Sequence, residues 1–126
     1  MNWVAVLFVA LILAVLFLLS RSGKISSKAA AACLRNGAMV IDVRTAVEYT
    51  AGHLAPAINM PLSEIEALAQ RKVPDKSRVL LLHCQSGARS GMAKNALRNL
   101  GYTNAFNLGS YERAARILRR RQAYSG

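Results

Sequence analysis

An alternation between short apolar runs and segments of helical spacing constrains this chain more than any other feature. Four runs are typical of buried strands, at residues 38–43, 57–60, 78–83 and 104–108. Between them, residues 62–70 and 90–101 carry apolar side chains at helical spacing, and Gly101 closes the second segment. Strands that alternate with helices in this way favour a parallel sheet covered by helices. The predicted fold class is therefore α/β, with a central parallel sheet flanked by helices.

A further short helix is predicted ahead of the first strand, in the sequence "SSKAAAACLRNG". Ser26 or Ser27 is placed to cap its amino end, and Gly37 is placed to stop it. This helix carries Cys33, which we interpret as a packing residue. The spacing of the Cys and His residues is not typical of a metal site, so we expect neither a metal ion nor a cofactor.

The amino-terminal residues 3–19 hold no charged or strongly polar side chain. A helix of that length would reach about 26 to 29 Å, close to the thickness of a bilayer's hydrocarbon core. No Lys or Arg precedes the run, which argues against a cleaved secretory signal. We therefore predict one transmembrane anchor over residues 1–20 and a short basic linker over residues 21–24.

The basic residues near this segment all follow it: Arg21, Lys24, Lys28 and Arg35. By the positive-inside rule, they predict an inner or plasma membrane protein whose remaining chain is cytoplasmic. In that reducing compartment, the two cysteines are expected to be free thiols.

The net charge of +11, from 17 basic and 6 acidic residues, also gathers at the carboxyl end. Arg113, Arg116 and Arg120 stand at helical spacing, which makes a basic helix face plausible. We predict a basic tail over residues 119–126, which is either solvated or attracted to anionic lipid. Aromatic residues are scarce among these arginines and no recognition motif is visible, so nucleic acid is not an expected partner.

The most informative loop follows the third predicted strand, in "LLLHCQSGARSGMAKNAL", residues 80–97. Ligand sites in open parallel sheets form at the carboxyl ends of strands, where Cys84 stands. The small residues after it can curl, so that successive backbone amides form an anion-binding nest next to a helix amino terminus. These amides and the Arg89 guanidinium would favour the Cys84 thiolate, which is the nucleophilic form. On this fragment alone, a small apolar residue at a strand end is the competing interpretation.

Two separated blocks decide between these interpretations, because together they resemble the single-domain rhodanese family. The first block is "VIDVRTAVEYTAGHLAPAINMPLSEI", residues 40–65, and the second is "VLLLHCQSGARSGMAKNALRNLGYTNAFNLGS", residues 79–110. The resemblance implies a rhodanese-like domain, which we place at residues 25–118. It also implies a thiosulfate sulfurtransferase-like enzyme, in which Cys84 carries sulfane sulfur as a persulfide.

The resemblance assigns roles to the loop. Cys84 would attack a small sulfur-containing anion or persulfide donor such as thiosulfate, and a thiophilic acceptor, cyanide in vitro or an unknown protein, would take the sulfur. Arg89 would bind the donor and shape the loop. The donor-binding and loop-forming positions implied are Gln85, Ser86, Gly87, Ala88 and Ser90, and Ser90 would also cap the following helix.

The first block is interpreted as structural. Asp42, Arg44 and Glu48 are predicted to form a polar cluster that ties a strand end to the following turn. Neither His53 nor His83 is assigned a catalytic role, because the chemistry needs no separate acid or base and His83 should point away from Cys84 in a regular strand.

Two other functions remain open from the sequence. Cysteine-dependent phosphatases hold phosphate in a loop with five residues between Cys and Arg, whereas four lie between Cys84 and Arg89 here. The smaller loop suits one sulfur atom better than a phosphate. The second alternative is a membrane-tethered, non-catalytic binding or regulatory module. It draws on departures from the family pattern in "GHLAPA" and "LGSYERA". In the second of these, the family often has two glycines and a tryptophan, and this chain has Ser110 and Ala114 at those places, although the Cys84 loop is intact.

Overall fold

The computed structural model describes residues 2–124, with the side chains of residues 17–22, 123 and 124 excepted. Its elements in chain order are α1 Trp3–Ser22, α2 Ser27–Arg35, β1 Met39–Asp42, α3 Ala46–Ala51, β2 Ile58–Asn59, a 3₁₀ turn at Leu62–Glu64, α4 Ile65–Lys72, β3 Leu80–His83, α5 Ala88–Asn99, β4 Ala105–Gly109 and α6 Tyr111–Tyr124. The four strands lie at the four predicted runs, and α4 and α5 lie at the two predicted helical segments. The predicted α/β class is confirmed.

The four strands form one sheet in the order β2-β1-β3-β4, and every neighbouring pair is parallel. All four residues of β3 are fully buried. This explains why the strand has a continuous apolar run instead of an alternating pattern, since helices cover both of its faces. The carboxyl ends of β1, β3 and β4 meet at one edge of the sheet.

Two apolar layers hold the helices on the sheet. On one face, Ile41, Leu80 and Leu82 pack with α4 and α5; on the other, Val40 and Leu81 pack with α2 and α6. Neighbouring strand residues point to opposite faces, so one strand supplies both layers. Burial on both faces fixes the register of the strands, and the register determines where Cys84 lies relative to the ends of β1 and β4.

Helix α2 confirms the predicted boundaries. The Ser26 side chain accepts a hydrogen bond of 3.1 Å from the Ala29 amide, and Gly37 follows the helix with a φ of +85°. A serine side chain satisfies one of the first helical amides, and glycine adopts the left-handed conformation without the steric penalty of a Cβ atom.

The amino-terminal helix corrects one prediction. Among the described residues, no helix is both long enough and apolar enough to cross a membrane. Residue 1 and the side chains of residues 17–20 of the predicted anchor lie outside the described set. The predicted membrane localisation is contradicted by this finding, and the transmembrane anchor and the orientation derived from it are not supported.

The carboxyl-terminal helix α6 continues through most of the predicted tail. Its buried side chains, Ala114, Ile117 and Leu118, face the sheet, while Arg116 and Arg120 are exposed. The boundary predicted at residue 118 therefore falls within a continuous helix, and residues 125 and 126 lie outside the described set. The predicted lipid contact of this tail depended on the membrane anchor and is likewise not supported.

Candidate active site

Cys84 follows β3 directly and lies at the carboxyl edge of the sheet. Its backbone amide donates a 3.2 Å hydrogen bond to the Gly109 carbonyl, which ties the start of the loop to the end of β4. The side chain is fully buried, and its Sγ accepts a 3.0 Å hydrogen bond from the Gly87 amide. The loop thus bends back so that a backbone donor points at the sulfur atom.

Gly87 gives the loop this shape. It is the N-cap of α5 and has a φ of +97°, in the left-handed region that favours glycine. A Cβ atom at this position would also lie 3.4 Å from two backbone atoms of Gly109. The left-handed conformation therefore selects glycine at the point where the loop enters the helix.

The environment of Cys84 favours the thiolate. Burial by itself would raise the pKa of the thiol, but hydrogen bonds from the Ser90 side chain and from the amides of Ser90, Gly87 and Ser86 outweigh that effect and lower the pKa below its ordinary value. The amino end of α5 points to the same place and adds positive potential. The amide nest expected from the sequence is present around the sulfur.

Ser90 is fully buried and connects Cys84 to β4. Its Oγ lies 3.5 Å from Cys84 Sγ and 2.7 Å from Asn107 Oδ1. A hydroxyl group has one proton, so Ser90 donates to one of these two acceptors at a time, and it lowers the pKa of Cys84 when it donates to the sulfur. The caps of α5 include no side-chain hydrogen bond, so the expected capping role of Ser90 is replaced by this contact with Asn107.

Asn107 was missed by the sequence reasoning. Its buried side chain accepts a 2.9 Å hydrogen bond from the Gly109 amide and donates one of 3.1 Å to the Gly87 carbonyl. Together with the bond from Ser90, these contacts join β4 to the Cys84 loop. The sequence did contain a signal for Asn107, which is the one polar residue in the run "AFNL". Because buried polar groups are nearly always hydrogen-bonded, an asparagine inside a buried strand indicates specific hydrogen-bond partners.

Arg89 is held by a residue far away in the sequence. Its two terminal nitrogens donate bonds of 2.6 and 3.0 Å to the two carboxylate oxygens of Glu48. Arg89 lowers the pKa of Glu48 to about 2, and the carboxylate in turn raises the pKa of Arg89. The loop arginine is therefore paired, and its net contribution of positive charge to the donor site is reduced.

The predicted cluster of Asp42, Arg44 and Glu48 is only partly assembled. Arg44 Nε and Nη2 contact both oxygens of the fully buried Asp42 at 2.8 to 3.0 Å, which joins the end of β1 to the following turn. Glu48 instead accepts hydrogen bonds from Thr45 in a capping box at the start of α3. Glu48 thus belongs with Arg89 at the rim of the active-site loop, whereas Asp42 and Arg44 lie behind it.

The remaining predicted loop residues form the exposed rim. Gln85, Ser86 and Ala88 are exposed, and the Gln85 carbonyl accepts a 3.2 Å hydrogen bond from the Tyr111 amide at the start of α6. A cleft of about 300 Å³ opens beside Arg89; its lining is Val43, Thr45, Pro61, Leu62, Ser63 and Arg89.

The two histidines differ in their surroundings. His83 is fully buried; its Nε2 lies 3.8 Å from Asp42 Oδ2 and has no hydrogen-bond partner among the described residues. Burial is the main cause that lowers the pKa of His83, so the ring is neutral at neutral pH. His53 stacks on the Tyr49 ring with 3.7 Å between the ring centroids. Within residues 2–124 as described, no group of three or more His, Cys, Asp or Glu side chains could hold a metal ion.

Comparison with known proteins identifies the class to which this fold and this loop belong. The family model of the rhodanese-like domain matches residues 25–115. The chain belongs to the rhodanese-like domain family, as the sequence resemblance predicted.

Individual relatives carry more specific names. The thiosulfate sulfurtransferase PspE of Escherichia coli is 41% identical over 69 residues, which are 55% of this chain and 66% of that protein. The human thiosulfate:glutathione sulfurtransferase is 34% identical over 87 residues, covering 59% of this chain and 76% of that protein. The structure of a human single-domain sulfurtransferase superposes with a TM-score of 0.63 at 31% identity, covering 75% of this chain and 96% of that one. The chain thus spans just under two thirds of the bacterial relative, and these names agree with the predicted class of enzyme.

Removing the Ser90 hydroxyl should change the acidity of the nucleophile. Ser90→Ala deletes a hydrogen-bond donor that lowers the pKa of Cys84, so we expect that pKa to rise. Because the thiolate is the form that attacks, the pH at which alkylation reaches half its maximal rate should move upward, and the rate at neutral pH should fall. The measurement is the pH profile of Cys84 alkylation by iodoacetamide. An unchanged or lower midpoint in a folded variant would show that the hydroxyl does not stabilise the thiolate.

Proposed function

We propose that this protein moves sulfane sulfur from a donor such as thiosulfate to a thiophilic acceptor through a persulfide on Cys84. The observation that carries the proposal is the position of the Cys84 sulfur, which is buried and faces the Gly87 amide at 3.0 Å. Four residues separate Cys84 from Arg89, and a loop of that size suits the single sulfur atom that a persulfide adds to Cys84. The names of the related sulfurtransferases support the same reaction class.

In the first step, the Cys84 thiolate attacks the outer sulfur of thiosulfate. A bond forms between Cys84 Sγ and that sulfur, the bond to the central sulfur breaks, and sulfite leaves with the electron pair. No proton has to move, because the thiolate is already favoured by the surrounding amides. This agrees with the absence of an acid or base role for His83, whose ring is buried and neutral.

In the second step, a nucleophile takes the terminal sulfur. Cyanide or an acceptor thiolate attacks the outer sulfur of the persulfide, the sulfur–sulfur bond breaks, and the Cys84 thiolate is restored. Negative charge returns to Sγ as this bond breaks, and the amide of Gly87 is already directed at that atom. The same donors therefore stabilise the charge before loading and after transfer. A protein thiol is the acceptor class we infer for the cell.

Direct detection of the intermediate tests this proposal. The full chain is incubated with thiosulfate and its intact mass is measured; we expect a gain of one sulfur atom that maps to the peptide containing Cys84. Cyanide should remove the gain and yield thiocyanate. Cys33→Ser is the matched control, because this second thiol lies on α2 within the other apolar layer, and this variant should load as fully as the wild type.

A different result would favour the other function considered from the sequence. If a folded chain with a reactive Cys84 thiol gains no sulfur from thiosulfate or from an organic persulfide, the sulfurtransferase proposal fails. The intact loop would then serve a non-catalytic binding module. Release of phosphate from a small aryl phosphate would instead indicate phosphatase chemistry, which the length of the loop argues against.

A further inference from the structure

The segment that precedes α2 lies along the open edge of β4, next to the active-site loop. Lys24 forms an isolated parallel bridge with Asn107, and the Ile25 amide donates a 2.9 Å hydrogen bond to the Asn107 carbonyl. Arg113 Nη2 donates to the Ile25 carbonyl at 2.5 Å, and Lys94 Nζ donates to the Gly23 carbonyl at 3.4 Å. Contacts from α5, β4 and α6 thus fix the position of Lys24.

The Lys24 side chain passes over the two glycines that frame the loop. A Cβ atom on Gly87 would lie 3.5 Å from Lys24 Cε, and one on Gly109 would lie 3.6 Å from Lys24 Cδ. The residue is exposed overall, so its stem covers the loop while its ammonium group is open to solvent. Gly87 is also the residue whose amide points at Cys84 Sγ. The stem of Lys24 therefore lies against the rim of the loop that holds Cys84.

Two nearby arginines are engaged elsewhere. Arg89 is paired with both oxygens of Glu48, and Arg113 donates to the carbonyls of Leu108 and Ile25. Among the residues that the structure describes, none of the three ion pairs includes Lys24. Lys24 is thus a cation at this rim whose charge no described carboxylate offsets.

We infer that Lys24 binds the anionic end of the sulfur donor and so selects anions for reaction at Cys84. This inference rests on the proposed function for the identity of the donor, since the sulfonate oxygens of thiosulfate would face Lys24 while its outer sulfur reaches Cys84. Lys24 precedes the region that matches the family model, which begins at residue 25. Anion selection would therefore come from the segment attached to the domain rather than from the loop sequence.

The test compares two alkylating reagents of similar size, because it does not depend on sulfur transfer. Iodoacetate is an anion and iodoacetamide is neutral, and each reacts when the Cys84 thiolate displaces iodide and forms a carbon–sulfur bond. All variants carry Cys33→Ser, so that Cys84 is the remaining thiol. Lys24→Met should slow the reaction with iodoacetate by about two- to fivefold relative to iodoacetamide, as expected for one partly solvated charge.

Two further variants separate charge from structure. Lys24→Arg should restore the preference for iodoacetate, and Lys28→Met, an exposed position on α2, should leave it unchanged. Added salt should weaken the preference of the wild type. In sulfur loading, Lys24→Met should raise the KM for thiosulfate and leave kcat near the wild-type value.

Each outcome of the alkylation test decides the inference. Selective slowing of iodoacetate supports an anion-binding role for Lys24, even if the wild type proves unable to carry sulfur. Equal effects on both reagents, or no effect on either, would overturn that role even if thiosulfate loads Cys84 normally.

Discussion

Cys84→Ser is expected to reduce sulfur transfer from thiosulfate to cyanide to the uncatalysed rate. Serine has nearly the shape of cysteine and should fit the buried site, so the fold should survive. Its hydroxyl is a far weaker acid than a thiol, however, and an oxygen atom cannot carry sulfane sulfur as a persulfide. The measurement is thiocyanate formation by the full chain, together with the intact mass after exposure to thiosulfate.

The second cysteine provides the control for this variant. Cys33 belongs to α2 and packs against the apolar layer formed with Val40 and Leu81, away from the loop. Cys33→Ser should therefore retain the wild-type rate and gain one sulfur atom. If Cys84→Ser kept substantial activity while Cys33→Ser lost it, the assignment of the nucleophile would be wrong.

The sequence predicted the fold well because the sheet is parallel and buried on both faces. Such strands form continuous apolar runs, and those at residues 38–43 and 78–83 stand out from the polar segments around them. The same pattern placed Cys84 at the carboxyl edge of the sheet, since it follows the second of these runs directly. A local signal was therefore sufficient to place Cys84 at this edge of the sheet.

The contacts around the nucleophile were less predictable, because they join residues distant in the sequence. Glu48 and Arg89 are 41 positions apart, and Ser90 and Asn107 are 17 apart. The sequence placed Glu48 in a cluster with the nearby Asp42 and Arg44, but the capping box at Thr45 directs the Glu48 side chain toward Arg89. Pairings of this kind depend on how the strands are ordered in the sheet, which periodicity alone does not specify.

The amino-terminal prediction shows a different limit. Within the described residues, α1 does not supply a membrane-spanning length of apolar surface. The segment that follows it proved informative for another reason: it was interpreted only as a basic linker, yet Lys24 pairs with Asn107 beside the loop. Its role at the sheet edge depends on tertiary contacts that the charge pattern did not contain.

Gly87→Ala is expected to disable the loop without removing the nucleophile. Alanine at a φ of +97° is strained by about 1 to 2 kcal/mol, and its Cβ would be in ordinary van der Waals contact with the Gly109 backbone at 3.4 Å. Relief of that strain would turn the Gly87 amide away from Cys84 Sγ and raise the pKa of the thiol. Loss of one preorganised amide donor should lower the rate of sulfur loading by about 10²-fold, as for a missing oxyanion-hole donor.

Gly37→Ala is the matched control, because it separates backbone strain from the position of the amide. Gly37 also has a positive φ, of +85°, but a Cβ atom there would meet nothing within 4 Å. Both variants should lose stability in thermal unfolding, since both place alanine in the left-handed region. Only Gly87→Ala should slow sulfur loading and shift the alkylation midpoint of Cys84 to higher pH. Equal losses of loading in the two variants would mean that general destabilisation, rather than the amide directed at the sulfur, accounts for the effect.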